Sequence, residues 1–209
     1  MIEINNPLIN HYIGKIRDKN SNSKEFNLSI KNIVFLMAGE ISKKMEFFEK
    51  DIETPVSFSK SIEISDNICL VPILRAGIAL LEPMREIFPY SHCGYMGIKR
   101  NYNSNSKSDA DIYYHNLPKN LDDYKIYLLE VVLASGITLQ TAINFLIDKG
   151  IKPKNITIVS IIACEYGIQN IQNISKDIDI YFCKKDELRL TDGYLLPGLG
   201  DAGDRYSNL

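Results

Sequence analysis

No stretch of this chain is apolar for long enough to cross a membrane. The longest runs, "ICLVPIL" and "IVSIIAC", fall far short of the ~20 residues that a membrane helix needs. The opening "MIEINNPLINHYIG" has no basic region followed by an apolar one, so no secretory signal is expected. Cysteine is sparse. Cys69, Cys93, Cys164 and Cys183 are widely spaced, sit in or beside apolar stretches and form no C-x-x-C pair. That spacing argues against a zinc framework and for buried, reduced thiols in a cytoplasmic protein. The three histidines, His11, His92 and His115, form no H-x-x-x-H and read as surface or loop residues. Excess charge is missing too. Lys and Arg number 24 against 26 Asp and Glu, a net charge of −2. Nothing here draws nucleic acid broadly, so any anion must be held by a local site.

What is present suits a single α/β domain of 209 residues, with 45% hydrophobic and 24% charged side chains, long enough to bury a core. Residues 24–46 read as a helix, because Phe26, Ile30, Ile33, Val34, Met37 and Ile41 recur at the helical period. From Ile68 onward, short apolar runs alternate with helical segments. "NICLVPIL", "CGYMGI", "KIYLLEVVL", "NITIVSIIA" and "IDIYFC" read as strands. "GIALLEPMREIF", "TLQTAINFLIDKG" and "YGIQNIQNI" read as helices. Strands apolar along their whole length and joined through helices indicate a parallel sheet covered on both faces. Residues 1–65 read as an arm or hood on a core of residues 66–209. The polar "NYNSNSKSDAD", Asn101 to Asp111, reads as a long mobile loop that could cover a site.

Ligands of open parallel sheets bind beyond the carboxyl ends of the strands, and four stretches place unusual residues there. In "VPILRAG" an apolar strand ends in Arg75 and a small-residue turn. The guanidinium can grip phosphate oxygens, or it can pair with a carboxylate at the surface. In "MGIKRN" a strand leads to Lys99 and Arg100, a second cation near the mouth or a solvated basic pair. In "LLEVVLASGITLQ" a strand ends near Glu130, and Ala134-Ser135-Gly136 precedes a helix starting near Thr138. Small residues and a helix amino terminus suit a phosphate, although the same turn can be an ordinary hydroxyl cap, and Gly-Lys-Ser/Thr of a Walker loop is absent. The tail "LLPGLGDAGD" contains Gly198-Leu199-Gly200-Asp201-Ala202-Gly203, which fits G-x-G-x-x-G. A dinucleotide fingerprint needs a helix and a second strand after it. Only six residues follow, too few for a helix of useful length or for a second strand, so the glycines are expected to present backbone groups to a flat polar ring. Together the four stretches suit a ligand with two separate phosphate groups and a sugar between them.

"VPILRAG", "IKRN", "YYHNLP" and "GYLLPGLGDAGDR" resemble, in order and spacing, the uracil phosphoribosyltransferases, and "NPLINHYIGKIRDKNSNSKEF" resembles that family's start. The resemblance implies a type I phosphoribosyltransferase fold, with a parallel sheet, flanking helices and a hood. It implies joining of uracil to 5-phosphoribosyl 1-diphosphate, giving UMP and diphosphate, with Mg²⁺ carried by the donor diphosphate rather than by a protein site. Arg75 and Arg100 would hold the diphosphate. Glu130, Val131, Val132, Leu133, Ala134, Ser135, Gly136, Ile137 and Thr138 would form the loop for the 5′-phosphate and ribose. Leu195 and Gly200-Asp201-Ala202 would line the uracil site, with Asp201 also near the donor. Arg75, Arg100 and Asp201 would carry the catalysis. Family members form dimers or larger homo-oligomers, and some respond to GTP.

The sugar-phosphate loop departs from the family, which usually reads Asp-Pro-Met-Leu-Ala-Thr-Gly-Gly-Ser. Glu130 keeps the acid but adds a methylene, and Ile137 replaces a glycine, where a β-branched residue tolerates positive φ poorly. Either Ile137 points away with helical backbone and activity survives, or the donor site is weakened. The second outcome would leave a nucleotide-binding regulatory protein.

Overall fold

The computed structural model describes residues 1–101 and 109–209. Among these, the main sheet runs Ile2–Glu3, Asp179–Phe182, Ile156–Val159, Lys125–Leu129, Ile68–Leu74, Tyr95–Asn101, Asp109–Asn116, with the short His92–Cys93 also on Ile68–Leu74. Every pairing in it is parallel except that of Tyr95–Asn101 with Asp109–Asn116. The expected α/β class and parallel sheet are therefore present.

Alternation explains why the central strand Ile68–Leu74 and its neighbours Lys125–Leu129 and Ile156–Val159 are almost wholly apolar. Ile68 and Leu70 turn to one face, with Tyr127, Leu129, Val159 and Tyr181. Cys69, Val71 and Ile73 turn to the other, with Ile126, Leu128, Ile158 and Phe182. Helices cover both faces, so both sets are buried. The first face receives Pro7–Arg17, Ser23–Ile41 and Ile78–Ile87. The second receives Ile137–Asp148 and Glu165–Gln172.

The amino-terminal third differs from the expected arm. Ile2–Glu3 is the edge strand of the main sheet, and Ile9, Ile13 and Ile16 of the first helix are buried in the core. Asn6 caps that helix by accepting from the Leu8 N–H, and Pro7 follows it at the first helical position. The second helix ends at Ile41, a few residues before the expected 46, and starts in a capping box between Asn22 and Glu25. What does stand outside is the hairpin Phe47–Glu53/Phe58–Ile64, nearly all of it exposed.

The expected loop at 101–111 is shorter at its ends. Strand pairing continues to Asn101 and resumes at Asp109, with Asn101 Nδ2 donating to Asp111 Oδ2 at 2.6 Å. Residues 102–108 lie outside the described residues. The histidines are exposed as expected but sit in regular elements, His11 in a helix, His92 and His115 in strands. Cys69, Cys164 and Cys183 are buried and free, and Cys93 is partly exposed. Burial pushes the Cys69 and Cys183 thiols up to about 12, away from thiolate chemistry.

Candidate active site

Three central strands end at one cavity of about 650 Å³. Its wall carries Arg75 and Ala76 after Ile68–Leu74, Lys99 and Arg100 at the end of Tyr95–Asn101, and Glu130 after Lys125–Leu129. The tail closes the far side with Gly193, Tyr194, Leu195 and the run from Gly198 to Gly203. The four stretches singled out in the sequence therefore meet. Of the expected site residues, Val131 and Ile137 alone are missing from the wall. Val131 is in the core, and Ile137 is the first residue of its helix. The positive φ of that turn, 81°, falls on Gly136, so Ile137 keeps helical backbone and puts no side chain into the cavity. Leu74–Arg75 and Leu196–Pro197 are cis peptides.

Why the chain turns here is legible in its glycines. A Cβ on Gly77 would lie 2.2 Å from the Leu129 carbonyl oxygen, so only glycine lets the turn after Arg75 pass the neighbouring strand. A Cβ on Gly167 would lie 2.1 Å from the Ala134 carbonyl oxygen. The turn at 134–136 is thus pressed against the helix Glu165–Gln172.

That contact orients the turn. The Cys164 thiol donates to the Ala134 carbonyl at 2.9 Å, and Asn170 Nδ2 donates to the Ser135 carbonyl at 2.9 Å. Both carbonyls point into the protein. In a trans peptide the N–H points opposite to its C=O, so the Ser135 and Gly136 N–H groups turn away from that helix, toward the cavity side. They lie at the amino end of the helix Ile137–Asp148, a favourable place for an anion. Behind them Ser160, fully buried, accepts from the Leu133 N–H at 3.1 Å and lies 3.2 Å from the Val131 carbonyl.

The electrostatics are mixed. Arg75 Nη2 donates to Asp204 Oδ1 at 3.0 Å, so its guanidinium sits against the tail. Glu130 is pushed up to about 8, mainly by burial; the Arg100 charge and the Val131 N–H pull it back down. Asp201 caps the terminal helix Ala202–Ser207 by accepting from the Asp204 N–H at 3.0 Å. That helix corrects the expectation that the tail is too short for one. It begins inside the glycine run, and no strand follows it among the described residues.

Residues 3–208 match the family model described as uracil phosphoribosyltransferase. The chain belongs to the uracil phosphoribosyltransferase family. It is 36% identical over 206 residues to the uracil phosphoribosyltransferase of Dictyoglomus turgidum, covering 98% of this chain and 97% of that one. It is 38% identical over 208 residues to that of Dictyoglomus thermophilum, covering 98% and 97%. Among solved structures, the AQ2163 protein of Aquifex aeolicus superposes with a TM-score of 0.88 at 30% identity, covering 98% of this chain and 96% of that one. The adenine phosphoribosyl transferase of Trypanosoma brucei shares the fold, with a TM-score of 0.53 at 11% identity over 86% of this chain and 80% of that one. The chain is thus a phosphoribosyltransferase of this family, with the type I fold.

Several residues at the site escaped the sequence reading. Tyr113 lines the cavity and lies across Gly97, where a Cβ would touch its ring at 2.5 Å. Tyr194 lines it from the hairpin Glu187–Leu188/Leu195–Leu196. Cys164 and Asn170 act only through backbone carbonyls, and no spacing in the sequence signals that.

Proposed function

We propose that this cavity joins the N1 nitrogen of uracil to the anomeric carbon of 5-phosphoribosyl 1-diphosphate, giving UMP and diphosphate in pyrimidine salvage. One observation carries the reading: two guanidinium groups, an amide turn at a helix start and the tail's glycine run face a single cavity. These are the contacts that a leaving diphosphate, a 5′-phosphate and a flat base each require.

The carbon–oxygen bond to diphosphate breaks as the bond to N1 forms, and the proton from N1 leaves with the diphosphate. The sugar passes through an oxocarbenium-like state, so no nucleophilic side chain is needed. Arg75 and Arg100 neutralise the departing diphosphate. The Ser135 and Gly136 N–H groups, with the Ser135 and Thr138 hydroxyls, hold the 5′-phosphate. Glu130 faces the ribose. The remaining members of the loop, Val132 to Ala134, shape the wall, and alignment of base and sugar supplies much of the rate. Leu195 and Gly200-Asp201-Ala202 take the base. A backbone C=O accepts from the uracil N3–H and an N–H donates to O4. Against cytosine those groups are left unpaired, at roughly 1–3 kcal/mol each.

Among the described residues no three His, Cys, Asp or Glu side chains gather into a metal cage. The acids on the wall are Glu130 and Asp201. One or two carboxylates plus substrate phosphates are what Mg²⁺ ordinarily takes. Glu130 and Asp201 would face a Mg²⁺ ion brought in with the donor, which when bound would supply charge neutralisation to the leaving group.

The family resemblance also carries assembly of copies, a GTP response and a cytoplasmic site. For assembly, support comes from the projecting hairpin, where Val56, Phe58 and Ile62 are 94%, 80% and 66% exposed. For location, no helix among the described residues is long and apolar enough to cross a membrane. The reading as a weakened regulatory relative loses one of its two motives, because Ile137 is off the wall.

The test is UMP formation from labelled uracil and donor, with and without Mg²⁺. Product that depends on Mg²⁺ is expected. Folded protein that makes none would overturn the reading.

A further inference from the structure

Behind the tail's glycine run lies an ion pair that the reaction does not use. Arg17, at the end of the first helix, donates to both oxygens of Asp186, Nη2 to Oδ1 at 2.6 Å and Nη1 to Oδ2 at 2.7 Å. The Asp186 side chain is 1% exposed. Both partners also bind one residue of the tail. Arg17 Nη1 donates to the Gly198 carbonyl at 2.7 Å, and the Gly198 N–H donates to Asp186 Oδ2 at 2.9 Å. The two backbone polar groups of Gly198 are therefore held by a single bidentate pair.

Gly198 is where the run turns. Its φ is 63°, and a Cβ there would lie 2.2 Å from the Leu195 carbonyl oxygen. The next carbonyl, that of Leu199, accepts from Arg205 Nη1 at 2.8 Å. Arg205 in turn donates to the Ile16 and Asp18 carbonyls, beside Arg17. A glycine-rich loop left to itself samples many backbone states. Here the Gly198 N–H and carbonyl and the Leu199 carbonyl are fixed on protein partners just before Gly200, where the run reaches the base side of the cavity.

We infer that Arg17 and Asp186 are positioning residues for base recognition: their ion pair clamps Gly198 and holds Gly200-Asp201-Ala202 in the shape that reads the pyrimidine before it arrives. The inference rests on the function proposed above. The donor turn has its own supports in Ser160, Cys164 and Asn170, so the clamp acts on the base more than on the donor, which it reaches only through Asp201.

Steady-state kinetics on Arg17→Met and Arg17→Lys separate this from a role in stability alone. For Arg17→Met, KM for uracil should rise about tenfold or more, with KM for the donor within about threefold of wild type. Arg17→Lys, which keeps the charge and loses the fork, should fall between. Equal movement of both KM values, or movement of neither, overturns the inference. Should Arg17→Met fail to fold, Arg17→Lys still carries the comparison. Hydrogen exchange on the wild-type protein gives a second readout. The Gly198 amide should be protected without ligand, and protection gained only on adding UMP also overturns the inference. A wild-type protein that makes no UMP would sink the proposed function, while its ligand-free exchange would still report on the clamp.

Discussion

Arg75 and Asp204 meet at 3.0 Å across 129 residues of sequence. The contact places the cation at the end of a central strand against the terminal helix. A Cβ on Gly203 would lie 3.7 Å from the same guanidinium nitrogen. The pair is about half exposed, at 57% and 46%, so its contribution to stability is at most ~1 kcal/mol. Its consequence is spatial: on the proposed function, the base side and the diphosphate side of the cavity share a wall.

Arg75→Ala should therefore hurt catalysis far more than folding. Loss of a charge-assisted contact to phosphate is worth up to ~3 kcal/mol, or about 100-fold in kcat/KM for the donor. The unfolding free energy should change by less than ~1 kcal/mol. Kinetics beside urea denaturation check both. A stable variant with normal donor kinetics would remove Arg75 from the donor site.

Glu130 makes stability depend on pH. Folded, its carboxyl titrates at about 8, because burial disfavours the charge. Unfolded, it titrates in the ordinary carboxylate range. Between the two, the folded protein holds a proton that the unfolded chain has released, so this contribution is full at low pH and is lost as pH rises toward 8. Glu130→Gln cannot ionise. Its stability relative to wild type should rise from pH 5 to pH 8 in denaturation curves, and a constant difference would contradict the burial.

Ile137→Gly tests whether the departure in the sugar-phosphate loop matters. The side chain is off the cavity wall, so kcat/KM should stay within about twofold. The first turn of the helix should weaken by up to ~1 kcal/mol. A tenfold rise in activity would revive the weakened relative.

Gly167→Ala should move the donor turn from behind. The added methyl meets the Ala134 carbonyl, a backbone group that cannot swing aside. A loss of ~1–3 kcal/mol in stability is expected. KM for the donor should rise, with KM for uracil changing less, and unaltered donor kinetics would show that the turn tolerates displacement.

Much of this site can be read from the chain. Arg75, Arg100 and Gly136 stand at ends of apolar runs, and a parallel sheet must bring such ends to one edge. The apolar runs themselves mark strands buried on both faces. Breaks within them were less visible. "KIYLLEVVL" and "NITIVSIIA" read as single strands, yet pairing lapses after Leu129 and after Val159 and resumes at Val132 and Ile162. The buried Ser160 hydroxyl bonds across both breaks, and a serine in an apolar run gives little sign of that.

The first helix was missed for a different reason. Its buried positions are Ile9, Ile13 and Ile16, and polar residues between them dilute the pattern. Only the sheet edge and the neighbouring helix show which side is inside.

The sequence by itself determined the central apolar strands from Ile68 onward, the helices between them and the chemistry offered at each strand end, because these follow from local periodicity and residue type. Tertiary structure alone decided that Arg17, Asp186 and Gly198 form one unit. It likewise decided that Ile137 stays clear of the ligand and that Arg75 reaches the tail. Those relations join residues more than a hundred positions apart or depend on a single backbone angle, and neither leaves a period or a spacing in the chain.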